Sequence, residues 1–464
     1  MKRSVTAAIA LATHIALRLL IAGAFSAVIG GCATPPRLTS PANVAPAVHA
    51  APSLTPTSVT EPREHRLHTP TPLVTVDAPS ETTQRHLRVF EELWEIINEK
   101  YIYPDFNGFD WFAARIETEA LIRSGLSDEE FYDLMRDLVE KLGDKHSRFL
   151  SPAEVAEEEA AYRGTGNFVG IGIVTDFNPE AGRVYVLQVL PGSPAEEAGI
   201  KPHDHLIKAN GAPLVNAVGE PDLSPLRGEE GTAVTVTVRT PGQAERELVI
   251  TRRLLSSAEV VEYRLLQGKP RIGYILIPTF FAENIVDQVH DAVRALMTSK
   301  GAGQHLDGLV IDMRINGGGA YSVLTRVLGL FTGGTPGYLV DRENNRSPVR
   351  IRPERVGNSQ SVPLAVLIGP ATESYGELFA GILRHRGRAV LIGQTTAGNV
   401  ETLYAHAFED GSRLWIAQET FQLANGASWE GRGIEPDIRI DKNWDEFTVD
   451  DDPAIQAAIE HLSR

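Results

Sequence analysis

Residues Val362 to Glu377 read Val-Pro-Leu-Ala-Val-Leu-Ile-Gly-Pro-Ala-Thr-Glu-Ser-Tyr-Gly-Glu. The apolar run closed by Gly369-Pro370 predicts a buried strand and a turn, and the residues from Ser374 onward predict the start of a helix. A side chain at such a corner stands at a helix N-terminus, where free backbone amides and the helix dipole favour negative charge developing on a reacting oxygen. Ser374 is therefore a candidate nucleophile. Ser374-x-x-Glu377 is equally the pattern of a capping box, in which the hydroxyl only satisfies a backbone amide.

Outward from this segment, strands and helices alternate. Ile272–Ile277 predicts a strand, Ala282–Met297 a helix, Leu309–Met313 a buried strand, Tyr321–Leu330 a helix and Leu378–Arg384 another helix, with a β-rich stretch from Leu403 to Phe421. Such alternation predicts an α/β core with ligands at strand ends. The buried strand Leu309–Met313 runs into Asp312-Met313-Arg314-Ile315-Asn316-Gly317-Gly318-Gly319, whose glycines let backbone N–H groups approach a ligand closely, as an oxyanion donor must. No Gly-x-x-x-x-Gly-Lys pattern accompanies it, so a nucleotide site has no support.

Upstream, Phe90, Leu93, Trp94, Ile97 and Tyr101 recur at helical spacing, and Ser127 with Glu130 forms a capping box ahead of the stripe Phe131, Leu134, Met135 and Leu138. From about Ala160 the period changes to two, in Phe168–Thr175, Arg183–Val189 and Ala233–Arg239, which predicts a small β-rich module. The N-terminus is different again. Lys2, Arg3 and Arg18 precede the apolar run Leu19–Ile29, suited to a signal h-region and shorter than the roughly 20 residues a spanning helix needs. Cys32 is the only cysteine, so no disulfide forms within the chain and the thiol reads as a lipidation site. Ala33 to about Thr82, rich in Pro, Thr, Ser and Ala, predicts an unfolded tether. With 464 residues and 42% apolar content the chain calls for more than one core. A formal charge of −16 without a basic face argues against nucleic acid as a partner.

Several motifs carry resemblances. Ile29-Gly30-Gly31-Cys32 resembles a bacterial lipobox, which implies lipidation at Cys32 and an exported chain anchored to a bacterial membrane on its periplasmic or extracellular face. Gly192-Ser193-Pro194-Ala195-Glu196-Glu197-Ala198-Gly199-Ile200, with Asp204 and Asn210-Gly211, resembles a PDZ domain of the bacterial protease type. That resemblance implies that Gly170, Ile171, Gly172 and Ile173 form a loop whose amides hold a peptide's terminal carboxylate while the peptide adds a strand to the sheet edge. Pro221 and Pro225 predict that the helix beside this groove is shortened.

From Val89 to Ile440, with the Asp312–Gly319 loop, the Ser374 segment and Gly433-Ile434-Glu435-Pro436-Asp437-Ile438, the chain resembles the C-terminal processing (tail-specific) peptidases and the tricorn protease core. The implied fold is a crotonase-like or ClpP-like α/β peptidase core with an inserted β-rich PDZ domain and an N-terminal helical segment. The implied organisation is a lipoprotein signal peptide (1–31), a tether (32–82), a helical segment (83–160), a PDZ domain (161–255), the serine peptidase core (256–445) and a helical tail (446–464). The implied activity is peptide-bond hydrolysis by a serine endopeptidase acting on peptide or protein substrates through their C-termini, with Ser374 as nucleophile, the amides of Gly318 and Tyr375 as oxyanion hole, and neither cofactor nor metal.

One position departs from that pattern. Processing peptidases pair the serine with a lysine inside Thr-Phe-Gly-Lys-Gly, where this chain has Thr396-Ala397-Gly398-Asn399-Val400, and no lysine lies between Lys300 and Lys442. Asn399 cannot accept a proton, and an unactivated serine is a poor nucleophile, so another base is required, for which histidine is suited. Gly143-Asp144-Lys145-His146-Ser147-Arg148 resembles the segment carrying the tricorn catalytic histidine, which implies His146 as the base, Glu430 as its acid and Lys145 where tricorn has a relaying serine. Ser147 or a direct contact would then link Glu430 to His146. Glu401, beside the vacated lysine position, is the spare acid, and His385 is a second candidate base. His203 and His205 read as solvated turn residues. Loss of the lysine also leaves open an inactive relative that binds peptide tails or apolar ligands, or an adaptor acting through its PDZ-like module.

Overall fold

Strands Ile272–Leu276, Gly308–Asp312 and Leu364–Ile368 consist entirely of buried residues, which requires cover on both faces of their sheet. Side-chain alternation supplies it. Ile275, Ile311 and Val366 turn toward helices Asn284–Met297, Tyr321–Gly329 and Tyr375–His385, while Tyr274, Val310, Ala365 and Leu367 turn toward Ala454, Ile455 and Ala458 of the C-terminal helix Pro453–Leu462. The six-stranded sheet runs Glu262–Leu265, Ile272–Leu276, Gly308–Asp312, Leu364–Ile368, Ala389–Gly393 and Ile438–Arg439, parallel throughout except for its first strand. These features come from a computed structural model that describes residues 79–144, 146–163, 166–256, 260–268, 270–297 and 305–464. The signal peptide, Cys32, nearly all of the tether and Lys145 lie outside the described residues. Among the described residues no helix is long and apolar enough to cross a membrane.

A second, antiparallel sheet joins Arg148–Leu150, Arg413–Leu423, Gly337–Asp341 and Arg346–Pro348, with Glu401–Ala407 also paired to Arg413–Leu423. Phe149, Phe408, Leu414 and Ile416 of this sheet pack on Phe90, Leu93, Ile97, Phe131, Met135 and Leu138, so the helical stripes read from the sequence are core. The Ser127–Glu130 capping box is formed at the head of helix Asp128–Glu140. That helix hands the chain to His146, and pairing of Arg148–Leu150 with Arg413–Trp415 fixes where the histidine stands.

The β-rich module is a six-stranded antiparallel sheet with Ile173–Asn178 at its edge, followed by Arg183–Val189, His205–Ala209, Ala233–Arg239 and Arg246–Thr251, and with Ala212–Pro213 paired to His205–Ala209. The single strand expected over Phe168–Thr175 is broken at Ile171-Gly172. Asn167–Gly170 pairs instead with Arg253–Ser256, and Gly172, at φ 87°, lies where any side chain would run into Ser193. The helix beside the groove is reduced to a 3₁₀ turn, Ser224–Leu226, as the prolines require.

His203 corrects the sequence expectation. It is buried, its Nδ1 lies 2.7 Å from the Trp444 carbonyl, and its ring stacks on the Trp444 indole at 4.2 Å. Trp444 also donates to Val186 O at 2.9 Å and lies 4.6 Å beneath the Arg314 guanidinium, while Arg183 pairs with Asp445 at 3.0 Å. The module is therefore seated on the α/β core.

Candidate active site

Ser374 has φ 53° and ψ −123°, a conformation that costs a non-glycine residue about 1–3 kcal/mol and persists only where the surroundings impose it. Here they do: Ser374 N–H donates to Asn399 O at 2.9 Å and Glu373 N–H to Asn316 O at 3.0 Å. The capping-box pattern is not realised. Ser374 makes no side-chain cap, and Glu377 turns inward to accept from Thr396 Oγ1 at 2.5 Å, Gly398 N at 2.9 Å and Asn399 N at 2.8 Å. Among the described residues the Ser374 hydroxyl has no hydrogen bond. The Glu377 backbone amide, from which a capping hydroxyl would accept, donates instead to Ser374 O at 3.0 Å.

Gly318 packs directly against the serine. A Cβ there would lie 2.7 Å from Ser374 Cβ and 3.0 Å from Tyr375 N, at φ 94°. The Gly318 amide, expected to face an oxyanion, donates to Asn316 Oδ1 at 2.9 Å in this structure because the Asn316 side chain folds back across the turn. Tyr375 N–H, the first of its helix, has no partner among the described residues, as expected of a helix N-terminus.

His146 is buried beside this corner. Asp144 accepts from the His146 and Ser147 amides at 2.9 and 2.8 Å, fixing the turn that presents the ring. His146 Nδ1 lies 3.2 Å from Glu401 Oε2, and Glu401 Oε1 accepts from Tyr103 Oη at 2.8 Å. The carboxylate on the histidine is thus Glu401, the spare acid of the sequence reading. Glu430 stands behind it, accepting from Val400 N at 2.8 Å and facing Glu401. This ordering follows from the sheet, since Glu401 opens the strand that pairs with Arg413–Leu423 and Glu430 lies in a turn beyond it. Ser147 is no relay either: its hydroxyl donates to Asp144 Oδ2 at 2.6 Å and accepts from Ala417 N.

The electrostatics follow the contacts. Burial opposes charge on His146, but the Glu401 hydrogen bond and the charges of Glu373, Glu401 and Asp144 outweigh it and raise its pKa. Burial raises Glu401, yet its bonds to His146 and Tyr103 bring it below the usual carboxylate range. Burial and the adjacent Glu401 charge push Glu430 up to about 8. Two carboxyls side by side cannot both ionise cheaply, so Glu401 keeps the charge and Glu430 the proton.

The remaining expectations sort plainly. His385 is exposed at the far end of the helix that Ser374 opens, about 15 Å away at 1.5 Å per residue, and takes no part. Glu373 and Tyr103 escaped the sequence reading. Tyr103 carries no local signal, whereas Glu373 was signalled by standing next to Ser374, the candidate nucleophile. Its Oε1 lies 3.8 Å from His146 Nε2 and accepts from Asn399 Nδ2 at 2.7 Å. No hydrogen bond joins Ser374 Oγ to His146 among the described residues, and such bonds are commonly long in unliganded hydrolases. In the PDZ-like loop, Ile171 O and Gly172 O accept from Ala195 N and Leu190 N, leaving the Ile171 and Gly172 amides without partners among the described residues. Among the described residues no group of His, Cys, Asp or Glu gathers as metal ligands do.

Comparison with known proteins agrees with this layout. The model for Peptidase family S41 matches residues 271–440, that for the Tricorn protease C1 domain 83–140 and that for the PDZ domain 160–239. A carboxyl-terminal-processing protease of Synechocystis sp. is 27% identical over 380 residues, covering 80% of this chain and 85% of that protein. A chloroplastic C-terminal processing peptidase of Tetradesmus obliquus is 29% identical over 387 residues, covering 78% and 79%. Among solved structures, the photosystem II D1 C-terminal processing protease aligns with a TM-score of 0.54 at 27% identity over 77% of this chain and 93% of that one. An S41 protease fold from Bacteroides fragilis aligns with a TM-score of 0.55 at 16% identity over 80% and 97%. With its core, its helical segment and its inserted module each matched in chain order, this chain carries the catalytic domain of a Peptidase family S41 serine peptidase together with a Tricorn protease C1 domain and a PDZ domain, and is similar to carboxyl-terminal-processing proteases.

Proposed function

We propose that this peptidase cuts protein or peptide chains with Ser374 as nucleophile and His146, rather than a lysine, as general base. The observation that carries the proposal is the buried His146–Glu401 pair beside the strained Ser374, with Asn399 standing where a processing peptidase would keep its lysine. Glu401 orients the ring through Nδ1 and stabilises the imidazolium, as the acid of a catalytic triad does. His146 Nε2 takes the Ser374 proton, Ser374 Oγ attacks the scissile carbonyl, and the Tyr375 amide meets the oxyanion. Gly318 joins it once its amide exchanges Asn316 Oδ1 for substrate. His146 then protonates the leaving amine, and water, deprotonated by His146, releases the acyl group.

The substrate's C-terminus is the natural ligand for the PDZ-like module, whose edge strand Ile173–Asn178 and partnerless Ile171 and Gly172 amides suit an extended peptide ending in a carboxylate. Lipidation at Cys32 would hold the enzyme at the cell envelope, its substrates being exported proteins with flexible tails. Hydrolysis of a fluorogenic peptide by Ser374→Ala and His146→Ala proteins is the primary test. Both are expected to be inactive, and full turnover in either excludes its role. Free-acid against amidated peptides test the module, and loss of membrane association in Cys32→Ala tests the anchor.

A second reading, a catalytically silent relative that binds peptide tails, is favoured by one observation: His146 Nε2 neighbours Glu373 rather than bonding Ser374 Oγ. Fluorophosphonate labelling separates the two. Modification at Ser374 supports an activated serine, and inertness with intact peptide binding supports the silent relative.

A further inference from the structure

Glu373 is the carboxylate that the serine–histidine mechanism leaves unused. It immediately precedes Ser374 and is 6% exposed. Its Oε1 is held by Asn399 Nδ2 at 2.7 Å and lies 3.8 Å from His146 Nε2, while its Oε2 is buried with no hydrogen-bond partner among the described residues. It therefore faces the ring edge that must receive the serine proton, opposite the edge held by Glu401.

We propose that Glu373, anchored by Asn399, is a positioning residue that holds the Nε2 edge of His146 beside Ser374 and sets the pH below which His146 stops acting as a base. The proposal rests on the reading of His146 as the base of Ser374. An imidazolium flanked by two carboxylates is stabilised as the cation, and the cation has no lone pair for the serine proton. The charged and titratable groups around the ring are Glu401 and Glu373 in contact with it, Asp144 beneath its backbone, Glu430 and the Tyr103 hydroxyl behind Glu401, and Glu377 behind Glu373. The flanking carboxylates differ. Glu401 has two fixed bonds, to the ring and to Tyr103, whereas Glu373 has one fixed bond and one orphaned oxygen. Burial raises the Glu373 pKa against the opposing effects of His146 and Asn399, so of the two it sheds its charge more readily.

Asn399 gains a physical meaning from this arrangement. Its neutral amide fixes Glu373 without cancelling the charge that faces His146. A lysine at the same place would compete with the histidine for that carboxylate. The departure from the family pattern and the use of histidine are thus two sides of one exchange.

The test is the pH dependence of kcat/KM for peptide hydrolysis by the full chain from about pH 5 to pH 10, comparing the unmodified enzyme with Glu373→Gln. The amide keeps the shape and the carbonyl that accepts from Asn399 but removes the charge. The acidic limb is expected to move to lower pH by about 1 unit or more, the usual effect of removing a single contacting opposite charge. A residue of purely structural importance would lower the plateau and leave the limb in place, and that result overturns the proposal. His146 ring titration by NMR in Ser374→Ala, with and without Glu373→Gln, gives the same comparison without turnover: the second substitution is expected to lower the midpoint, and an unmoved midpoint overturns the proposal. Full hydrolysis by His146→Ala would instead overturn the base assignment on which it rests.

Discussion

The backbone amide of Ser374 donates to the carbonyl of Asn399 at 2.9 Å, while the Asn399 side chain reaches Glu373. Asn399 therefore holds the main chain of Ser374, whose hydroxyl has no hydrogen bond among the described residues. The strain at Ser374 and the roles proposed for His146 and Glu373 all meet at this contact.

Glu401 and Glu430 are separable by substitution. Glu401→Gln leaves the ring in place but removes the charge that stabilises an imidazolium, and kcat is expected to fall by about 10²–10⁴. Glu430→Gln retains a donor toward Glu401 and is expected to lose far less. Steady-state kinetics on both proteins checks the order, and a larger loss in Glu430→Gln would restore Glu430 as the principal acid.

Gly318→Ala is expected to abolish turnover with the fold intact. Its Cβ would meet Ser374 Cβ at 2.7 Å on a backbone with φ 94°, so the strain falls on Ser374. Circular dichroism and thermal melting report the fold, and fluorophosphonate labelling reports the serine. A labelled, active Gly318→Ala protein would show that the loop relaxes freely.

Stability is expected to pass through a maximum on the mildly acidic to neutral side. The Glu430 pKa is raised from the ordinary carboxylate range to about 8 in the folded chain, so its contribution is complete below the unfolded value and is lost as pH rises through about 8. His203 is lowered to about 4 by burial against Trp444, so its contribution is complete above about 6.5 and is lost as pH falls through about 4. Denaturant midpoints across pH check both limbs. Glu430→Gln should flatten the alkaline one, and an unchanged slope there would contradict the shared-proton pair.

Trp444 seats the inserted module on the core through His203, Val186 O and Arg314. Trp444→Ala is expected to cost about 2–4 kcal/mol, near the low end for removing a large aromatic because the site is only partly buried. Proteolytic cleavage at the module boundaries should accelerate. Unchanged cleavage and melting would mean that the remaining contacts suffice.

Much of the fold was legible because burial imposes periodicity. Strands buried on both faces must be continuously apolar, as Leu364–Ile368 is, and helices over a sheet must carry stripes, as Phe131, Met135 and Leu138 do. The break at Ile171-Gly172 escaped because two short strands in line have the same alternation as one. His203 was misplaced because what buries it, Trp444, lies far along the chain.

By itself the sequence determined the strand-to-helix corner at Ser374, the glycine loop that meets it, the order of the segments and the absence of the expected lysine, all of which are local patterns with local physical causes. Which acid faces His146, whether Ser374 caps its own helix and where the Gly318 amide points were decided only by the tertiary structure. Those are questions of a few ångströms between residues hundreds of positions apart, such as His146 and Glu401, and they depend on strand pairing and on which polar groups find partners after burial.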